Sequence, residues 1–337
     1  DYPRKESRAF TNYLNTSVGL LFEEAAVKHP GESGFAIIRR GRPAFTSRIA
    51  LTELAEKTLD LQYYVWEEDE TGWILAEHVL KAADRGVRVR ILVDDITLTG
   101  RDTGAASLDA HPNIEVRVFN PFAHRSARLI DFAIDLGRVN HRMHNKIYLV
   151  DNGLAIIGGR NIGNHYFNVD THANFRDLDI AAAGTVVREI STVFDYFWNG
   201  DWAVPISALV DRAYTREDLE TMSKNVRKSI AAGNYPYPLG QDVAMLKSEL
   251  LSIRDELIWA PGQIVWDDPA AIEDGMQAGK LITAFHNKLE TLQSELLMEA
   301  AYFIAMEKGV ETSRRLQERG VRVLSLIHIS EPTRPIL

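Results

Sequence analysis

The chain has 337 residues, 45% of them hydrophobic and 25% charged, with a formal net charge of −9. That length suggests about two domains, the composition is that of an ordinary globular protein, and the negative balance argues against a broad basic surface for coating nucleic acid. The absence of cysteine excludes disulfides and thiolate chemistry, and no run approaches the ~18 consecutive apolar residues of a membrane span.

Residues 1–45 carry no recognisable chemistry. Arg48 to Thr58 places Ile49, Leu51, Leu54 and Ala55 among polar residues and is predicted to be helical. Leu59 to Trp66, rich in aromatic and branched side chains, is predicted to be a strand. Thr71 to Arg85 puts Leu75, Val79 and Ala83 on one helical face, and Gly86 stands where a left-handed cap belongs. Val87, Val89, Ile91 and Val93 then alternate with Arg88 and Arg90 in a strand ending at Asp94-Asp95, and Ile114 to Phe119 is another strand. His144 to Val150, Leu154 to Ile157 and Asp177 to Ala182 read as further strands. Thr185 to Asn199 reads as an amphipathic helix with Val186, Ile190, Val193, Phe194 and Phe197 inward and Gly200 as its stop. Strands alternating with helices imply an α/β layer structure.

Residues 205–289 change character. They are helical in pattern and charged, broken at Tyr235-Pro236-Tyr237-Pro238 and Pro261-Gly262, and are expected to connect two domains, their charges forming a solvated face. An internal repeat follows. Ala301 to Ile304 echoes Gln62 to Val65, and Arg319-Gly320-Val321-Arg322-Val323 matches Arg85-Gly86-Val87-Arg88-Val89 residue for residue. A second copy of the domain is therefore expected to begin near Glu290, over 290–323. Residues 324–337 resemble a translated sequencing adapter and are set aside from fold reasoning, so the chain is expected to be a piece of a longer protein.

The chemistry is concentrated in His144 to Asn161: His, one residue, Lys, four residues, Asp151, six residues, Gly158-Gly159, Arg160, Asn161. Residues two apart on a strand share a face, so His144 and Lys146 are expected to project together, an imidazole beside an ammonium. Attack on a phosphodiester needs such a pair, one group to bond phosphorus and a cation for its oxygens. Gly158 and Gly159 would let backbone approach an oxyanion, and Asn161 would supply an amide donor.

This run resembles the HKD motif of the phospholipase D superfamily. Leu61 to Trp66, Gly86 to Asp95, Phe119-Asn-Pro-Phe122, Arg142 to Lys146, Gly158 to Gly163 and Asp177 to Ile180 look like the cardiolipin synthase C branch, over about residues 15–323. The resemblance implies a phospholipase D-like mixed sheet flanked by helices: one complete domain at 46–204 and the start of a second. It implies two such motifs meeting, one histidine forming a phosphohistidine and the other moving protons. His144 is then the nucleophile or its partner, Lys146 and Asn161 hold phosphate oxygens, and Asp177, or Asp179 beside it, fixes the histidine tautomer. Asp151 joins the catalytic set by motif, although tying the strand end to a loop is its expected work.

Arg138, Arg142 and Arg160 are candidates for a lipid head group or a plain basic patch, Asp94 for the site or for capping, and Tyr166, Phe167 and Trp66 for an apolar groove or the core. His286-Asn287-Lys288 repeats the triplet, but Gln293 stands where the aspartate belongs. His141, His165 and His172 fit no zinc spacing, so no metal or cofactor is implied. The resemblance points to phosphatidyl transfer between membrane phospholipids such as phosphatidylethanolamine and phosphatidylglycerol, without nucleic acid, at the surface of a bacterial inner membrane. The competing expectations are a phospholipase D hydrolase or HKD nuclease, and a fragment inactive until a second motif joins it.

Overall fold

A computed structural model describes the chain except Asp1, Pro3, Thr99, Ser126, Asn234 and residues 236–241, 270–278, 301–306 and 328–337. It divides into two units, Asp1–Ile264 and Val265–Leu337. The first contains α1 (Ser17–Ala26), β1 (Ser33–Ile38), α2 (Gly41–Leu54), β2 (Thr58–Tyr63), α3 (Glu70–Asp84), β3 (Arg88–Asp94), α4 (Asp102–Asp109), β4 (Ile114–Phe119), α5 (Arg128–Ile134), α6 (Leu136–Val139), β5 (Ile147–Val150), β6 (Leu154–Gly158), β7 (Asp179–Gly184), α7 (Thr185–Asn199), β8 (Ala203–Pro205), α8 (Arg216–Ala232), α9 (Val243–Asp255) and β9 (Ile258–Ala260). The second contains α10 (Lys280–Glu290), β10 (Glu295–Ala300), α11 (Glu307–Glu318) and β11 (Arg322–Ile327).

One mixed sheet organises the first unit, in the order β8-β4-β3-β2-β5-β6-β7-β1-β9. β2, β3 and β4 run parallel, and the remaining pairs are antiparallel. The parallel core needs crossover helices, and α3 shows how the sequence supplies one. The Asp69 carboxylate accepts from Gly72 N at 3.0 Å to start it. Leu75, Val79 and Ala83 are fully buried. Gly86, at φ +96°, turns the chain into β3.

The opposite face of the sheet is covered too, by α7. Beneath it lie charges rather than hydrocarbon alone. Arg90 bonds Asp60 through two contacts of 2.6 and 2.8 Å and reaches Asp195 at 2.8 Å. Its guanidinium stands 4.7 Å from the Phe194 ring centre, and that of Arg117 stands 4.3 Å from Trp198. Losing one member of a buried pair costs about 3–5 kcal/mol, so these arginines fix α7 in place. The alternation of Arg88 and Arg90 thus marks a strand covered on both sides, not one facing water.

Among the boundaries that differ from the sequence reading, three bear on the architecture, and the strand expected from Asp177 starts at Asp179. Residues 1–45 contribute β1 to the sheet through pairing with β7. Residues 205–264 are not a solvated connector: Leu219 of α8 and Leu246, Leu250 and Ile253 of α9 are buried in the same core as α2 and α3, and β9 extends the sheet. Their apolar positions are spaced for one-sided burial, which the charges around them mask. Finally, the strand expected from His144 begins only at Ile147.

In the second unit, β10 and β11 pair in parallel with Glu295 opposite Arg322, as Thr58 pairs with Arg88. Gly320 takes φ +82°. The Arg319 side chain donates to the carbonyls of Glu290 and Leu292, as Arg85 donates to those of Thr52 and Glu53. The repeated pentapeptide therefore makes the same local structure twice. Residues 301–304, aligned above with Gln62 to Val65, lie outside the described residues, as does most of 324–337. His286 sits within α10. No described helix is long and apolar enough to cross a membrane.

Candidate active site

The sheet registers bring one set of strand ends together. Gln62 faces Ile147, Ile147 faces Ile157, Gly158 faces Asp179, and Asp179 faces Ile38. The C-terminal ends of β1, β2 and β6 and the N-terminal ends of β5 and β7 thus form one edge. The run Arg142 to Lys146 lies along it, entering β5.

His144 and Lys146 point the same way. Lys146 Nζ is 3.0 Å from His144 Nδ1 and donates to the His144 carbonyl at 2.8 Å. The imidazole is exposed, while Lys146 is 4% exposed beneath it. Tyr64, given no role by the sequence reading, supports both: its ring centre lies 4.7 Å from that of His144 and 5.3 Å from Lys146 Nζ. Burial, with Asp177 opposing it, pushes the ammonium down to about 8. Burial and the neighbouring Lys146 charge lower the pKa of His144, which favours the neutral ring. The Nδ1 of this neutral ring accepts from the ammonium, leaving the ring proton on Nε2.

Asp94 positions this run. Its buried carboxylate accepts from the backbone N–H of Met143 and Ile96, both at 2.8 Å, and from Arg142 at 3.1 Å. Burial still holds its pKa up at about 6. Arg142 bonds Asp94 and the Asn120 carbonyl through its two terminal nitrogens, its buried Nε making no hydrogen bond, with its guanidinium 4.9 Å from the Phe122 ring centre. Asn120, in the left-handed region at φ +44°, also donates to the carbonyls of Arg138 and His141. An asparagine before Pro121 was the signal for such a turn. Asp94 and Arg142 therefore hold the histidine loop.

The other predicted residues divide sharply. Asp151 is fully buried and accepts from Glu56 N at 3.0 Å and from Lys57 N and Thr58 N at 2.8 Å. It binds β5 to the turn before β2. Each stranded buried donor costs about 1–3 kcal/mol, so Asp151→Ala should destabilise the chain by about 2–4 kcal/mol, read as a lower denaturant midpoint. Asp151→Asn, which keeps an acceptor, should lose less.

Arg160, placed among head-group ligands, is 1% exposed and turned inward to the carbonyls of Ile38, Arg39 and Asp177. Gly158 and Gly159 serve carboxylates rather than a phosphate. A Cβ on Gly158 would stand 2.4 Å from Asp179 Oδ1, and one on Gly159 2.0 Å from Asp177 Oδ1. A shift near 1 Å close to reacting groups costs ~10²-fold in rate, so Gly159→Ala, which must displace Asp177, is expected to cut turnover by about that factor at nearly unchanged secondary structure. Circular dichroism and steady-state assay together check it.

Asn161 uses its side chain internally, its Oδ1 accepting from Val65 N at 3.1 Å and its Nδ2 donating to Tyr166 Oη at 2.9 Å. Asp177 makes no hydrogen bond to His144. Its Oδ1 accepts from Leu178 N at 2.8 Å, and burial raises its pKa. Asp179 is spent on Arg48, 3.0 Å away and equally buried. Phe167 lies in the core, Trp66 is partly buried, and His165 faces the Ala173 carbonyl at 2.8 Å. The edge thus presents one exposed imidazole over one buried ammonium, with Asp177 half-buried beside them.

Residues 49–198 match the family model described as "Cardiolipin synthase, PLD-like domain". The chain is similar to cardiolipin synthase C of Escherichia coli strain K12, 34% identical over 304 residues, covering 89% of this chain and 63% of that protein. It is also similar to an uncharacterized protein of Helicobacter pylori strain 26695, 30% identical over 318 residues, covering 91% of this chain and 62% of that one. The chain therefore spans less than two thirds of the length of either relative. Among solved structures, phosphatidylserine synthase of Haemophilus influenzae Rd KW20 shares the fold, with a TM-score of 0.54 at 15% identity over 91% of this chain and 66% of that one.

Proposed function

Residues 49–198 belong to the phospholipase D superfamily, on its cardiolipin synthase C-like branch, and on that premise we propose that the chain transfers phosphatidyl groups between phospholipids through a covalent bond to His144. The observation that carries this reading is the 3.0 Å approach of Lys146 Nζ to the exposed imidazole. At rest the ammonium occupies the imidazole lone pair. A phosphodiester offers the ammonium a better partner, an anionic oxygen, and so releases that lone pair toward phosphorus.

In the first step an imidazole nitrogen bonds phosphorus, the bond from phosphorus to the head-group oxygen breaks, and the departing alkoxide takes a proton from a second histidine. In the second, the hydroxyl of phosphatidylglycerol gives its proton to that second histidine as its oxygen displaces His144. The product is cardiolipin. Lys146 neutralises charge on the phosphoryl oxygens in both steps. The described residues bring one His–Lys pair together, so the second histidine is assigned to a second copy of the motif, and the chain is taken to work peripherally on the bacterial inner membrane.

The test is to mix the purified chain with vesicles of phosphatidylglycerol and phosphatidylethanolamine and to follow cardiolipin and phosphatidic acid by mass spectrometry across protein concentrations. Cardiolipin that appears only when a second motif is available, by self-association or from a longer form, supports the reading. Full turnover by a strict monomer would refute the second histidine. Phosphatidic acid as sole product would make the enzyme a hydrolase. Failure of every preparation, full-length protein included, to transfer or hydrolyse would refute the proposal.

A further inference from the structure

The backbone on either side of Tyr64 is fixed. Tyr63, the last residue of β2, is fully buried, and its hydroxyl accepts from Arg48 Nε at 3.0 Å. On the other side Val65 N donates to Asn161 Oδ1 at 3.1 Å, and the Val65 carbonyl accepts from Ile162 N at 3.1 Å. Tyr64 leaves the sheet between these anchors, at the edge where His144 and Lys146 stand, and its half-buried ring is held against them.

What the ring meets is a cation. An ammonium has three N–H donors. Two contacts of Lys146 Nζ are made to His144, at Nδ1 and at the carbonyl. The Tyr64 ring centre lies 5.3 Å from Nζ, inside the ~6 Å over which a ring face attracts a cation. Such an attraction grows when the cation is desolvated, and Lys146 is buried. The ring stays uncharged, because burial and the Asp94 carboxylate raise the pKa of its hydroxyl. Asp177 and His144 are the other titratable groups that act on this ammonium.

Transfer by the route above requires the ammonium to leave the imidazole lone pair for a phosphoryl oxygen. During that exchange the bond to Nδ1 is lost, while the His144 carbonyl and the Tyr64 ring still hold the cation. We propose that Tyr64 is a positioning residue whose ring seats the Lys146 ammonium beside His144, so that the cation trades imidazole for phosphate without leaving the site. The effect on rate rests on the phosphatidyl-transfer reading, whereas the seating itself is testable in the resting protein.

The titration of Lys146, followed by carbon NMR of labelled lysine and assigned by loss of the signal in Lys146→Met, needs no turnover. Tyr64→Met keeps an apolar side chain over the ammonium but no ring face, and should lower the titration midpoint by ~0.5 pH units or more. Tyr64→Phe keeps the ring and should leave the midpoint in place. In the most active preparation Tyr64→Met should lower kcat by ~10-fold with KM nearly unchanged, and Tyr64→Phe should keep both. Should circular dichroism show that Tyr64→Met does not fold, Tyr64→Leu takes its place. A midpoint that is unchanged or raised in the folded ringless variant, a phenylalanine variant that behaves like it, or a ringless variant with wild-type kcat in an active preparation would overturn the proposal. A lowered midpoint in a protein that never transfers would leave the seat standing and remove the transferase reading instead.

Discussion

Replacing His144 by alanine is expected to lower phosphatidyl transfer by ~10³-fold or more, the scale seen when a covalent nucleophile is removed, while leaving the unfolding midpoint nearly unchanged. The two halves of this expectation come from different features. The ring is exposed, stacks near Tyr64 and lies beside Lys146, so its removal opens no core cavity, and surface truncations usually stay within about 0.5 kcal/mol. The chemistry, by contrast, has no substitute: among the described residues no other imidazole stands beside a buried ammonium at this edge. The measurement is cardiolipin formation by the most active preparation, with acid-labile phosphoryl label on the protein as a second readout. A variant retaining a tenth of the activity would return the nucleophile's role to some other group. A variant that loses both activity and several degrees of melting temperature would show that the ring is structural.

The elements of the first unit were largely legible because their signals are local. The apolar stripe of α3, the glycine after it and the alternation of β4 require only neighbours in sequence. The side-by-side placement of His144 and Lys146 was anticipated from strand periodicity, and they do sit together, although the regular strand starts only at Ile147. What sequence spacing does not carry is which distant segment closes on a residue. Gly158 and Gly159 read as room for a phosphate, whereas the room is taken by Asp179 and Asp177, some twenty residues on. Arg160 looked like a surface cation and is buried against the carbonyls of β1 and the residue after it. Arg90 alternates with apolar residues, and nothing local announces that α7 will cover its face of the strand. In each case a polar residue type is ambiguous between substrate and scaffold until its partner is known.

Lys146 should give the second large effect, and one with a distinctive pH signature. On the proposed mechanism Lys146→Met removes the cation assigned to the phosphoryl oxygens, and losing one such contact typically costs ~10²–10³-fold in kcat. The proposed mechanism requires Lys146 in its charged form, and burial brings its pKa to about 8. Beyond the limb set by the second histidine, which the first step uses as an acid, kcat/KM should therefore fall more steeply as pH rises through about 8, well below the ordinary lysine range near 10.4. His144 is required neutral and its pKa is lowered, so the acid limb should lie below the ordinary histidine value near 6.5. Bound phosphodiester stabilises the ammonium, so the alkaline limb of kcat should lie above that of kcat/KM. Lys146→Arg keeps a charge that does not titrate in this range and should remove the component near 8, leaving the alkaline limb of the second histidine, which the first step uses as an acid, even where its poorer fit lowers the rate. Stability should move the other way. A folded pKa below the unfolded one means that the fold disfavours the ammonium at neutral pH, a cost relieved as pH rises through about 8. Lys146→Met should consequently raise the melting temperature at pH 7 while it destroys activity. A component near pH 8 that stays in place in Lys146→Arg, or a methionine variant that is less stable than wild type, would show that the ammonium under the imidazole is not the group setting either property.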